Sequence, residues 1–320
     1  MKIIVDAMGG DNAPKAPVLG AIEAAKRYGV EIVLVGQSDQ ILECLKTEGI
    51  DTLPPGVEIA FASQVISMGD SPTTVLHAYK DSSMVVGAKL LGDGGDAFVS
   101  AGSTGALLTV ATLVTRRIKG IRRAAISVVC PTEQGSCVLL DAGANNECTP
   151  EYLLQFAYMG SFYAERILGC ENPRVALLNV GTEDSKGGNL QHEAFALLKA
   201  ADDEGCIRFV GNAEGSDILT GKMDVLVADG FAGNVLLKST EGTAKFILKQ
   251  LKNVFYASTK NKLAALAVKK DLTGMKAMLD PSEVGGTALL GIAKPVIKAH
   301  GSSDARAIFN AVRQAIACVE

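Results

Sequence analysis

Tryptophan is absent from this 320-residue sequence, aromatic residues make up only 5% of it, and there are just three histidines, His77, His192 and His300. Scarce aromatics count against a base-stacking platform for single-stranded nucleic acid. A formal net charge of −4 argues against duplex binding, which needs a basic surface. The histidines do not stand at metal-ligand spacing, and no G-x-S-x-G elbow or G-x-x-x-x-G-K-[ST] phosphate loop occurs. Gly92-Asp93-Gly94-Gly95 precedes a strand pattern rather than following one, so it is not a dinucleotide fingerprint. Seven cysteines (44, 130, 137, 148, 170, 206, 318) are scattered, odd in number and free of any C-x-x-C pair, the usage of a reduced compartment. No apolar run approaches the ~18 residues of a membrane span. The N-terminus opens directly on a strand pattern, Lys2 to Val5, without signal-peptide character. The expectation is a cytoplasmic protein, with association at a membrane surface left open.

What is present is a globular composition, 48% apolar, organised as alternating strands and helices. Near-continuous apolar runs predict strands at Ile3 to Asp6, Glu31 to Val35, Val57 to Phe61, Ala97 to Ser100, Ala125 to Val129, Val138 to Asp141, Val175 to Asn179, Arg208 to Val210 and Val225 to Asp229. Helical patterns lie at Ala16 to Arg27, Ser83 to Leu91, Gly105 to Thr115, Glu151 to Leu168, Leu190 to Ala200, Thr243 to Ala257 and Asp304 to Val319. This alternation predicts a doubly wound, largely parallel α/β sheet in a single catalytic unit over 1–320, possible as two lobes, with ligands outside the carboxyl ends of the strands. A helical segment at 243–279 is expected to protrude from it.

Five predicted strand ends share one chemistry: Asp6-Ala7-Met8-Gly9-Gly10-Asp11, Ser100-Ala101-Gly102-Ser103-Thr104-Gly105, Asp141-Ala142-Gly143-Ala144-Asn145, the stretch Asn179 to Gly187, and Asp229-Gly230-Phe231-Ala232-Gly233-Asn234. Glycine lets a ligand approach the backbone, and successive N–H groups or a helix start make anion sites. Any one of these is an ordinary turn; five at the same topological position predict a site for a small anion. Lys186 is the cation beside a strand end, the alternative being a solvated loop lysine. Asn145, Asn179, Asn212 and Asn234 supply amides, and Ser103 and Thr104 stand at a helix start as anion donors. Asp229 either accepts a proton from the anion or caps the following helix. His300 lines the site or merely heads the last helix. Met8, Met68 and Met84 are expected to pack under loops.

The segments Asp6 to Pro14, Ser100 to Ala106, Asn179 to Glu183 and Asp229 to Val235 together resemble the PlsX family of phosphate acyltransferases, in the family's motif order across essentially the whole chain. The resemblance implies transfer of a fatty acyl group from acyl carrier protein to inorganic phosphate, giving acyl phosphate for phospholipid synthesis. It also implies a fold related to isopropylmalate dehydrogenase and phosphotransacetylase, a homodimer, and peripheral attachment to the inner face of the cell membrane. Neither metal nor organic cofactor is expected. On this reading Lys186, Asp229 and Asn234 are catalytic; Gly9, Gly10, Gly102, Ser103, Thr104, Asn145, Asn179, Gly181, Asn212, Gly230, Gly233 and His300 bind phosphate or substrate.

Two surfaces suit large partners. Arg116, Arg117, Lys119, Arg122 and Arg123 crowd cations into one stretch of an acidic protein, a docking patch for an acidic carrier protein or a solvated helix end. Lys262, Leu263, Leu266, Val268, Lys269 and Lys270 form an apolar tip bracketed by lysines, suited to anionic lipid or to a dimer contact. The rival readings are a coenzyme A phosphotransacetylase, a NAD-dependent decarboxylating dehydrogenase, and a non-catalytic anion-sensing scaffold at the membrane.

Overall fold

The computed structural model describes residues 1–278 and 285–320. In chain order it contains β1 (Lys2–Asp6), α1 (Lys15–Tyr28), β2 (Glu31–Gly36), α2 (Ser38–Thr47), β3 (Val57–Phe61), α3 (Val75–Ala78), α4 (Ser83–Gly92), β4 (Ala97–Ser100), α5 (Thr104–Val110), β5 (Ala125–Thr132), β6 (Gly135–Leu140), α6 (Pro150–Arg166), β7 (Arg174–Leu178), α7 (Asn189–Asp203), β8 (Arg208–Ala213), β9 (Val225–Val227), α8 (Gly230–Tyr256), α9 (Thr259–Ala267), α10 (Lys269–Met278), β10 (Thr287–Leu290), β11 (Val296–Lys298) and α11 (Ala305–Val319). The end of the expected hairpin segment, residue 279, lies outside the described residues.

Two compact units divide the chain, one of Met1–Val128, Glu165–Gly169 and Val284–Glu320, the other of Val129–Ala164 and Cys170–Glu283. In the first unit the strand order is β3-β2-β1-β4-β11-β10-β5. β3, β2, β1, β4 and β11 are parallel, so their carboxyl ends share one edge, while β10 runs antiparallel to both of its neighbours. The core is made of the apolar runs themselves: Ile3, Ile4, Ile32, Leu34 and Phe98 are all buried. Strands covered on both faces read as continuous apolar runs, which is why they are legible in sequence. α1 packs along α11, with Tyr28 stacked on Phe309 at 5.4 Å between ring centroids.

In the second unit the order is β6-β9-β7-β8, all parallel, with their carboxyl ends on one edge. Phe195 of α7 meets Phe209 of β8 edge to face at 5.2 Å. Thr149 and Pro150 open α6 as the cap pattern predicts.

Several elements differ from the sequence reading, the four-residue α3 among them. α2, β10 and β11 were not expected; the last two are only 4 and 3 residues long, too short to show a period. The helix expected at Thr243 begins instead at Gly230 and runs 27 residues, about 40 Å at 1.5 Å per residue. The helix expected through Thr115 is α-helical only to Val110 and then becomes a π-turn over Ala111–Thr115, with Arg116 at φ 73° ending it.

One ion pair fixes the start of β7. Asp224 accepts from the Arg174 backbone N–H at 2.8 Å, from Nε at 2.9 Å and from Nη2 at 2.9 Å, while Nη2 also donates to the Gly221 carbonyl. Burial pushes the Asp224 carboxyl up, but Arg174 outweighs it and holds it below the ordinary range. Replacing Arg174 by Ala should cost roughly 1.5–3 kcal/mol, as expected for hydrogen bonds to a charged group, in urea denaturation at neutral pH. Because the folded-state pKa is depressed, this contribution exists above the unfolded carboxyl pKa near ~3.9 and fades as pH falls through the lower folded value. A gap between wild type and Asp224→Asn that stays constant into strong acid would contradict it.

Candidate active site

The carboxyl edge of each unit is organised by a buried aspartate. In the first unit Asp6 ends β1. Its Oδ1 accepts from the Met8 N–H at 3.1 Å and its Oδ2 from the Ser100 hydroxyl at 2.7 Å. Ser100 Oγ in turn accepts from the Gly102 N–H at 3.1 Å. Burial raises the Asp6 pKa, against the pull of hydrogen bonds from Ser83, Ser100 and the backbone of Met8 and Gly9. The loop must turn sharply to deliver these donors, and Gly10 takes φ 95°, a region closed to most side chains. Asp11 N–H then donates to the Gly301 carbonyl at 2.7 Å, and Asn12 Nδ2 to the Ser302 and Ser303 carbonyls. Gly9, Gly10, Gly102 and the His300 turn are thus brought to one place.

His300 is exposed. Its Nδ1 accepts from the Ser302 N–H at 3.2 Å and pairs with the Ser302 hydroxyl at 2.9 Å. It stands in a turn after β11, and the following helix is capped by Asp304 rather than by Ser302 or Ser303. Ser103 and Thr104 open α5, and Ser103 makes no side-chain cap there. Met8 and Met84 are buried as expected, whereas Met68 is largely exposed and lies over Gly301.

In the second unit Asp141 follows β6 and is fully buried. Its two oxygens gather the N–H groups of Gly143, Ala144 and Asn145 and the Asn145 amide, at 2.7–3.1 Å. A buried carboxylate requires such partners, so these donors hold the loop rather than standing open. Asp229 caps α8 by accepting from the Ala232 N–H at 2.9 Å through Oδ1. That cap draws Gly230 to Asn234 into the helix, where a loop was expected. The first turn of α8 presses on the β6 loop so closely that a Cβ on Gly233 would lie 2.0 Å from the Asp141 carbonyl oxygen, and one on Gly230 would lie 2.6 Å from the Asn145 carbonyl oxygen. These two positions are glycine because backbone meets backbone. Asn234 is exposed at the same spot, beside Gly143, with no hydrogen bond from its amide among the described residues.

After β7, the loop Asn179 to Gly188 folds on itself. Asn179 Oδ1 accepts from the Val180 N–H and Nδ2 donates to the Lys186 carbonyl at 3.0 Å. Asn212, from β8, donates to the Glu183 carbonyl at 3.0 Å, and its buried Oδ1 has no partner among the described residues. Gly181 lies beneath the Lys186 stem and the Glu183 carboxylate. The Lys186 side chain is exposed and joins no ion pair among the described residues. Asn145, Asn179, Lys186, Asn212, Asp229 and Asn234 therefore all belong to the carboxyl edge of this one unit. Of the amides, Asn145 and Asn179 are spent on loop geometry, and Asn234 stands open.

The five cations Arg116, Arg117, Lys119, Arg122 and Arg123 are all exposed. Arg116 closes the π-turn and the others follow on the connection to β5, tied down by Ile118 N–H to the Gly291 carbonyl and Ala293 N–H to the Arg116 carbonyl. Lys298, at the end of β11, was missed by the sequence reading. It is the one buried lysine or arginine among the described residues, 8% exposed. An apolar run ending in Lys before Ala299-His300-Gly301 was the available signal.

The sequence matches the model of a family described as fatty acid synthesis protein over residues 1–320. It is 49% identical to a phosphate acyltransferase of Oceanobacillus iheyensis, covering 100% of this chain and 94% of that one. A phosphate acyltransferase of Bacillus cereus is 48% identical, over 98% and 93% of the two chains. Among solved structures, a phosphotransacetylase from Streptococcus pyogenes superposes with TM-score 0.64 at 18% identity, covering 99% and 94% of the chains. A 4-hydroxythreonine-4-phosphate dehydrogenase from Salmonella typhimurium gives 0.55 at 14%, covering 100% and 99%. The fold is thus the mostly parallel α/β fold of phosphotransacetylases and of that dehydrogenase, and the chain belongs to the PlsX family of fatty acid synthesis proteins as an acyltransferase.

Proposed function

We propose that the protein transfers a fatty acyl group from acyl-[acyl carrier protein] to inorganic phosphate, releasing acyl phosphate for phosphatidic acid and phospholipid synthesis. The observation that carries this reading is Lys186, an ammonium without a counter-ion among the described residues, in a strand-end loop on the same edge as the open amide of Asn234. Phosphate is a dianion that must attack a neutral thioester. Several arginines would hold it tightly and blunt its attack; neutral donors and one cation leave it reactive. Lys186 contacts phosphate or the tetrahedral oxyanion, Asn234 donates to the same oxygens, and Asp229 takes the proton of the attacking phosphate. Gly181, under the Lys186 stem, supplies the close approach on this edge, and the edge of the first unit, with Gly9, Gly10, Gly102, Ser103, Thr104 and His300, carries a polar, glycine-rich surface of its own suited to binding substrate. Orienting phosphate and carbonyl together is worth ~7–11 kcal/mol of the barrier.

The exposed cations at 116–123 support docking of an acidic carrier protein. α8 to α10 support contacts with larger surfaces. From Asn234 to Met275 no described side chain is buried, and Phe246, Ile247, Val254, Leu263 and Leu266 are at least half exposed. Such a face fits a homodimer contact along α8 and an anionic lipid surface at the tip, where Lys262, Lys269 and Lys270 surround Leu263, Leu266 and Val268. No described helix is long and apolar enough to cross a membrane, so attachment would be peripheral, at the cytoplasmic face.

Incubation with palmitoyl-[acyl carrier protein] and phosphate should yield hydroxylamine-sensitive acyl phosphate, and more slowly with palmitoyl coenzyme A. Lys186→Ala should lower kcat/KM by roughly 10²–10³-fold, the yield of one oxyanion donor. Asp229→Asn keeps a capping oxygen, so it should lower kcat while leaving the melting temperature nearly unchanged; loss of both in parallel would reduce Asp229 to a cap. Charge reversal at Arg116 and Arg117 should raise KM for carrier protein and not for phosphate, and a change in neither constant removes the docking patch. Leu263→Glu with Leu266→Glu should release the protein from anionic vesicles in a sedimentation assay; unaltered co-sedimentation would retire the membrane contact.

A further inference from the structure

Lys186 sits between β7 and α7 in a stretch, 179–188, that forms neither helix nor strand and is mostly exposed. Water can satisfy an exposed carbonyl, so burial obliges no side chain to bind the carbonyls of this loop. Three side chains nonetheless do so within four residues. Asn212 of β8 donates to the Glu183 carbonyl and Asn179 to the Lys186 carbonyl, each at 3.0 Å. Between them, His192 of α7 places Nε2 3.1 Å from the Ser185 carbonyl oxygen. A carbonyl oxygen only accepts, so Nε2 carries the hydrogen and donates.

We propose that His192 is a positioning residue that aims the Lys186 ammonium. The inference rests on the phosphate-contact role given to Lys186 above and names the group that sets its direction. The peptide plane before the Lys186 Cα is held at both ends: His192 takes its carbonyl, and its N–H donates to the Glu183 carbonyl at 3.1 Å. The plane after that Cα is held at its carbonyl by Asn179. A residue has only two soft backbone dihedrals, so fixing both flanking planes fixes the direction in which the Lys186 side chain leaves the chain.

The surroundings suit this task. His192 stands on a helix that is itself anchored in the core, with Ala194, Leu198 and Ala201 buried. Gly187 takes φ 99° and brings the chain against the first turn of α7; a Cβ there would lie 2.7 Å from both Asn179 Oδ1 and Gln191 Cβ. Gly188 N–H then donates to Gln191 Oε1 at 3.1 Å. The Lys186 stem rests on Gly181, where a Cβ would meet its Cγ at 3.0 Å. A long exposed side chain gains little from its own packing, and a 1 Å misplacement of a substrate-positioning group can cost about 10²-fold in rate. Rigid support from α7 therefore bears on the reaction as well as on the loop.

The full chain is assayed with palmitoyl-[acyl carrier protein] and inorganic phosphate. His192→Leu should lower kcat/KM for phosphate roughly 3–10-fold, the yield of one hydrogen bond, with KM for carrier protein and the melting temperature unchanged. His192→Gln offers an N–H at a similar reach and should recover most of that loss. In a Lys186→Ala background, His192→Leu should cost nothing further, because both changes act through one ammonium. A purely structural role gives equal losses in the two backgrounds; that result, or an unaltered phosphate constant in His192→Leu, overturns the proposal. Absence of acyl phosphate with wild type defeats the acyl-transfer reading instead. The dissociation constant of inorganic phosphate then decides for His192: weaker binding in His192→Leu, recovered in His192→Gln, supports it, and equal binding overturns it. A wild type that neither turns over nor binds phosphate overturns both.

Discussion

Two buried carboxylates, Asp6 and Asp141, impose the shape on which everything else at the carboxyl edges depends. Each stands at the carboxyl end of an apolar strand, β1 or β6, and is almost wholly removed from water. A carboxylate in that position must collect hydrogen bonds, and the nearest donors are the N–H groups and hydroxyls of the next few residues and of the adjacent strand end. Asp141 takes its donors from Gly143, Ala144 and Asn145, and Asp6 from Met8 and Ser100. The same solution appears in both units. The glycines that follow are the backbone's means of making the turn.

That constraint changes what the glycine-rich segments mean. As sequence they suggest open N–H nests for an anion. In the structure several of those N–H groups are already occupied by the protein's own carboxylates and the Ser100 hydroxyl. Gly230 and Gly233 are glycine because the first turn of α8 lies against the loop after β6. In the second unit the ammonium of Lys186 and the amide of Asn234 stay uncommitted among the described residues. A protein acting on a phosphate nucleophile gains from this economy, since neutral donors fix the position of the anion without draining its charge. Preorganised donors of this kind need no rearrangement as charge develops on the carbonyl oxygen.

The arm of α8, α9 and α10 follows a different rule. Beyond its first turn it buries nothing among the described side chains, although it carries large apolar residues. Helix propensity and capping hold it together locally: Ser258 accepts from the Asn261 N–H at 3.1 Å, and Lys252 and Lys262 lie over the Tyr256 ring at 6.0 and 5.9 Å. Apolar surface left in water on such a scale fits surfaces made to be covered.

The sequence by itself determined the strands whose apolar runs are continuous, the helices with cap residues such as Ser82 and Thr149, the alternation that makes an α/β fold, and the polar groups at the strand ends. These are local signals, carried by periodicity and capping within a dozen residues. Tertiary structure alone decided which polar groups are spent and which are free. Asn145 and Asn234 read alike as sequence, yet Asn145 is bound to Asp141 and Asn234 is open, because only packing of α8 on the β6 loop distinguishes them. The burial of Lys298 was settled in the same way: the apolar run around it hints at a strand, but a three-residue strand has no periodic signature, and its burial arises from the neighbours that β4 and β10 bring beside it.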